Sequence, residues 1–316
     1  MLGFDEIPLS VKDNRNQTVL FWKQLATDGT AVQHIEERSS SLVISSENYT
    51  YCFDKRTGLF TSMEYMGEEL LLKPMDINIF RAPTDNDRNI KREWLRAHYD
   101  TAVSRAYTTT YTKEQSDIVV TCHSCLCADT IQPILHMDTI WRIHSSGSIT
   151  IQMQVQKNME FPYLPRFGLR MFLPRKLCNI NYYGMGSVES YADKHHASRH
   201  EVYEADISEL HEDYIRPQEN GNHWDCDYVT AANSSIGLTA VSEKSFSFHA
   251  SVYSDEELTR KAHNYELEAE DACILCLDYA QSGIGSNSCG PELSQEFRLD
   301  EERFTFEITL IPFSKQ

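Results

Sequence analysis

The sequence predicts an all-β protein, a large and mostly antiparallel sandwich with few short helices, and three observations carry that prediction. The first is period-two alternation. Ile149, Ile151, Met153 and Val155 alternate with Thr150, Gln152, Gln154 and Gln156, and Phe304, Phe306, Ile308 and Leu310 alternate with Thr305, Glu307 and Thr309. Successive side chains on a strand point to opposite faces, so such runs bury one face and wet the other. The second is the punctuation between runs, with turn signals such as Asp54-Lys55-Arg56-Thr57-Gly58. The third is that many strand runs follow one another over 316 residues without strand–helix alternation, which favours a sandwich over a parallel α/β sheet.

The segments follow in order. Residues 1–41 contain Asp-Asn-Arg-Asn, Asp-Gly-Thr and Ser-Ser-Ser with weak alternation between, and read as an extended connecting arm. The domain proper is expected over 42–316. After Asp87, the residues Ile90, Trp94, Leu95 and His98 fall on one face of a helix of about two to three turns. Phe246, Phe248, Ala250 and Val252 alternate with polar residues, as expected of a strand with one wet face. Ser254 and Glu257 have the spacing of a capping box, opening a short helix through Leu258 and Ala262. Gly283-Ile284-Gly285-Ser286-Asn287-Ser288-Cys289-Gly290-Pro291 then interrupts two strand runs. Its glycines tolerate close backbone approach and its proline fixes the exit, so it reads as a shaped loop that a rigid scaffold presents.

Composition narrows the function classes. The net charge of −18, from 29 basic and 47 acidic residues, disfavours nucleic acid as a partner and is compatible with neutral ligands such as sugars. No apolar run approaches the roughly 18 residues that span a membrane. The opening MLGFDEIPLSVKDN lacks the basic and apolar regions of a secretory signal. Nine scattered cysteines, an odd number, suit reduced thiols, and a cytoplasmic location is expected. Cys122 with Cys125 and Cys273 with Cys276 have zinc-ligand spacing, but they lie in strand-like runs where residues three apart face opposite ways.

Several side-chain groups are candidates for a site. Arg81-Ala82-Pro83-Thr84-Asp85-Asn86-Asp87 sits between a strand and the helix, with Arg81, Asp85 and Asp87 expected to form a buried polar hub that fixes the turn. A calcium loop is disfavoured by the lack of glycine at its sixth position and by Arg96 in place of Glu at its twelfth. His195, His196 and His200 cluster in DKHHASRH, and the loop reading is favoured over a metal. Tyr182, Tyr183, Trp224 and Tyr228 could line a carbohydrate groove or pack the core. Glu219 with His195 or His249 could serve as the base and acid of a sugar epimerase, if the two faced each other across a groove.

Taken in order, RAPTDND at Arg81, PRFGL at Pro165, YYGMGSVESYADK at Tyr182, YIRPQENGNHWD at Tyr214, FSFHASVYSDEEL at Phe246 and GIGSNSCGP at Gly283 resemble the C-terminal domain of the family 2 β-galactosidases. The resemblance covers residues 42 to 314, and the opening residues resemble the exit from the Ig-like domain that precedes this one in the family. It implies a galactose mutarotase-like β-supersandwich, and a chain that is one portion or the small subunit of a larger retaining galactosidase. Both catalytic glutamates would then lie on a barrel domain or large subunit outside this chain, so no catalytic residue and no metal are expected here. The resemblance implies that Mg or Na, where the parent enzyme needs it, is bound elsewhere. It also implies a wall of the galactoside pocket at Asn287, Ser288 and Cys289, where Cys289 occupies the position of a sugar-stacking Trp in relatives with a longer loop. The alternative is a free-standing aldose epimerase-like sugar-binding protein, and a third reading is a zinc-stabilised binding module resting on the CxxC pairs.

Overall fold

The computed structural model describes residues 15–27, 32–128, 132–285 and 289–315. Five strands, β1 (His34–Glu37), β2 (Ser41–Ser45), β3 (Tyr49–Asp54), β4 (Leu59–Tyr65) and β5 (Glu68–Glu69), form a small antiparallel meander in sequence order. The turn between β3 and β4 is built on Asp54, which accepts the Arg56 N–H at 2.9 Å, and on Gly58 at φ +76°. A residue with a side chain is strained at that φ, so glycine belongs there.

Twelve strands form the second sheet: β6 (Lys73–Asn78), β7 (Val103–Glu114), β8 (Asp117–Cys127), β9 (Leu135–Ile143), β10 (Ile149–Lys157), β11 (Arg166–Pro174), β12 (Asn179–Gly186), β13 (Arg199–Asp206), β14 (Asn222–Ala232), β15 (Ile236–Ser251), β16 (Ala272–Gln281) and β17 (Arg303–Ser314). Their order is β13-β12-β14-β15-β17-β10-β9-β8-β7, and a branch runs from β15 through β16 and β11 to β6. The expected all-β sandwich is what forms, and every strand pairing among the described residues is antiparallel. The meander covers the apolar face of β8–β10. Trp141 of β9 is fully buried between Phe53 and Phe60, edge-on at 5.8 and 5.3 Å, and Tyr51 donates to the Gly147 carbonyl at 2.6 Å. Burial alternates along β9 and β10, with Thr139 and Lys157 taking buried positions and Ile140 an exposed one.

Four local expectations are corrected. The stretch read as an extended arm holds a helix, α1 (Arg15–Thr27), and β1. Val19 and Ala26 of α1 are buried against Val241 and Ile311, and the helical spacing of that pair was masked by the apolar Leu20, Phe21 and Leu25 on the exposed side. The helix after Asp87, α2 (Lys91–Arg96), is shorter than its periodicity suggests, because His98 turns left-handed at φ +57°. Trp94 and Ala97 are buried there, whereas Leu95 and His98 face solvent. In α3 (Asp255–Arg260), Ser254 caps the Glu257 N–H at 3.2 Å. The Glu257 carboxylate accepts instead from the Glu268 N–H and pairs with Arg260 and Lys261, and Ala262 lies beyond the helix. Finally, β15 has no wet face over Phe246–Ser251: the alternate Ser247, His249 and Ser251 are buried too.

Candidate functional site

That second, polar interior organises the most distinctive part of the molecule. Strand register aligns Asn222, His249, Cys276, Arg170 and Asp76 across β14, β15, β16, β11 and β6. Arg166 of β11 is fully buried and pairs with Asp278 of β16 at 2.5 Å and with Glu219 at 3.4 Å. Removing charges from water is costly, and these are retained by mutual pairing. Burial raises Asp278 to about 6, opposed by the pull of Arg166. Arg170 spans from Asp76 to the buried Asp255 of α3, and Asn78 donates to Asp255 at 3.0 Å. Burial, reinforced by Arg166, holds His249 down to about 3, and burial holds His223 down to about 4, so both are neutral.

Beyond the ends of β6, β12 and β16 and the starts of β11 and β14, the loops that carry the sequence motifs meet. Arg81 is fully buried and clamps Asp87 with two hydrogen bonds, Nε at 3.1 Å and Nη2 at 2.8 Å. Asp87 also accepts the Thr84 N–H at 2.9 Å, closing the turn on itself. The same guanidinium donates to the Ser282 and Gly283 carbonyls, and Asn86 donates to the Ile284 carbonyl at 2.5 Å. RAPTDND therefore grips the root of the glycine loop as well as its own turn. Asp85 is outside that hub: it is exposed, and among the described residues it is engaged through its backbone N–H, which donates to Gln218 at 2.8 Å. The Glu219 N–H donates to the Ala82 carbonyl at 2.9 Å, which lays the QEN segment along RAPTD.

A second hub lies alongside. Buried Glu189 accepts from Lys194 and Tyr214, and from the Gly221 N–H at 2.9 Å. Asp193 accepts the Ile284 and Gly285 N–H groups at 3.0 and 2.7 Å. This holds the glycine loop from the side opposite Arg81.

The remaining candidates are dispersed. Tyr182 is buried among Tyr203, His223 and Phe248, Trp224 stacks on His195 at 4.6 Å, and Tyr228 packs beside Tyr183 and Trp22, so no shared aromatic groove forms. His195 is held by the Tyr191 carbonyl and His200 by the Asp225 carbonyl. Cys122, Cys125, Cys273 and Cys276 are all buried, and no cluster of His, Cys, Asp or Glu among the described residues could hold a metal. Glu219 and His249 are both closed off from solvent, and His195 lies with Trp224 instead. Cys289 is exposed; Asn287 and Ser288 lie outside the described residues.

The family model for the β-galactosidase small chain matches residues 45–310. The chain belongs to that family. The β-galactosidase of Actinobacillus pleuropneumoniae is 37% identical over 98% of this chain and 30% of its own length, and that of Staphylococcus xylosus is 34% identical over 83% and 26%. The small chain thus spans about a third or less of the relatives it matches. Among solved structures, galactose 1-epimerase from Lactobacillus acidophilus NCFM is similar with a TM-score of 0.44 and 9% identity, covering 92% of this chain and all of that one. Sequence reasoning about this small chain missed Arg166, Asp278, Glu189 and Asp193 as a connected set. For Arg166, Glu189 and Asp193 the signal was their place inside the family motifs, whereas Asp278 lies outside them, and each is one charge among many in the sequence.

Proposed function

We propose that this chain is a non-catalytic portion of a retaining β-galactosidase, which completes the wall of the galactoside pocket and contributes assembly contacts. In the complete enzyme, residues 1–41 would follow an Ig-like domain, and the barrel or large subunit would supply the nucleophile and the acid. Those two glutamates must stand about 5 Å apart on either side of the anomeric carbon. The observation that supports the wall reading best is the double grip of Arg81 and Asp193 on Ser282–Gly285, which gives an otherwise pliant glycine loop a fixed exit direction. Asn287, Ser288 and Cys289 are the proposed pocket-facing residues.

The test is Cys289→Trp in the complete enzyme. An indole stacks on the apolar face of a sugar where a thiol does not, so the expected result is a changed KM or a changed ratio of hydrolysis to transfer. Cys289 is exposed, so stability should move by no more than about 0.5 kcal/mol. Unchanged kinetics toward every galactoside tried, with the variant folded, would remove the wall role.

A further inference from the structure

We infer that Asp193 is a positioning residue that fixes the course of the chain at Gly283–Gly285, an inference that rests on the wall reading for its functional meaning. The backbone there is held along both of its polar edges. Donors take the carbonyls: Arg81 Nη1 at Ser282, Arg81 Nη2 at Gly283 (3.0 Å) and Asn86 Nδ2 at Ile284 (2.5 Å). A single carboxylate takes the amides, with Asp193 Oδ1 accepting from Ile284 at 3.0 Å and Oδ2 from Gly285 at 2.7 Å. Hydrogen bonds to an ionised acceptor are shorter and stronger than neutral ones, so this side of the grip is substantial.

Sterics point the same way. A Cβ on Gly283 would stand 2.5 Å from the Asp193 carboxyl carbon, and one on Gly285 would stand 2.8 Å from Oδ2. Both glycines are therefore what allows the carboxylate to sit against the backbone. Asp193 is itself carried on a closed turn, with Tyr191 and Lys194 exchanging backbone hydrogen bonds at 2.8 and 3.0 Å. Tyr191 is buried, and Lys194 is paired to Glu189. The carboxylate is thus fixed by packing before it meets the loop.

Amide hydrogen exchange at Ile284 and Gly285, measured by NMR on this chain, tests the inference without any assay of activity. Asp193→Ala should speed exchange at both amides by about tenfold or more, while amides in β10 and β17 keep their protection. Asp193→Asn, which retains one acceptor oxygen, should release one of the two. Gly283→Ala should reproduce the loss by displacing the carboxylate, yet add little in an Asp193→Ala background. These two variants keep the test available if Asp193→Ala does not fold. Unchanged protection at Ile284 and Gly285 in a folded Asp193 variant overturns the inference. Lost protection together with silent Cys289→Trp kinetics upholds the grip and removes only the wall reading.

Discussion

At the scale of single residues, the chain spends much of its chemistry on buried charge. Arg81 has no exposed surface, and its guanidinium serves Asp87 and two carbonyls at once. Truncating one partner of such a pair strands the other in a medium that solvates it poorly. Arg81→Ala should therefore cost about 3–5 kcal/mol in urea denaturation, whereas Asp85→Ala, at an exposed position, should cost no more than about 0.5 kcal/mol. Similar losses for the two would mean that the Asp85 side chain supports the turn as much as Arg81 does. His249 offers a pH test. Burial, with Arg166 nearby, lowers it to about 3, against about 6.5 in an unfolded chain. Between those values the unfolded state holds a proton that the folded state lacks, so stability falls as the pH drops below about 6.5. His249→Gln should remove about 1.4 kcal/mol per pH unit from that slope between pH 4 and 6. Equal slopes for variant and parent would mean that the imidazole is already protonated in the fold.

At the scale of elements, the central strands differ from the outer ones in what covers them. The clean alternation of β9 and β10 belongs to strands with one face toward the meander. On β11, on β16 and over Phe246–Ser251 of β15, both faces are largely closed, one by the main apolar core and the other by buried charges together with the apolar patch of Phe172, Ala272, Ile274 and Cys276. Gly168 in the PRFGL motif shows how tight that layer is. A Cβ there would stand 2.1 Å from Asp278 Oδ1 and 2.3 Å from the Leu277 carbonyl oxygen. Gly168→Ala must push β11 off β16 and disturb the Arg166–Asp278 pair. We expect a loss of at least about 3 kcal/mol, read as a lowered midpoint in chemical denaturation. A wild-type midpoint would mean that the two strands can separate there at little cost.

At the scale of the whole molecule, the carboxylates of the buried layer are committed to ion pairs with arginine. Glu219 and Asp278 are both held by Arg166 and sealed from solvent. Without a nucleophile and an acid on either side of a sugar, little remains beyond binding. The purified chain should leave a nitrophenyl galactoside unhydrolysed above the buffer rate. Turnover abolished by substituting one of its own carboxylates would place the chemistry inside this chain.

The sequence by itself determined the sheet-dominated architecture, the faces of β10 and of Phe304–Ile308 in β17, the short helices near Asp87 and Ser254, and the family; it did not show that Thr309 is buried. Those features are local: alternation, turn chemistry and ordered motifs are read along the chain, and the physics behind each acts within a few residues. Only the tertiary structure decided that Ser247 and His249 are interior, that Asp85 is not part of the hub, that residues 15–27 pack as a helix, and that Asp193 and Arg81 hold one loop between them. A polar residue on a strand is wet unless another element closes over it, and a carboxylate finds its donor across a separation of 91 residues, as Asp193 finds Ile284. Periodicity carries no information about such pairings, because they depend on which loops the strand order brings together.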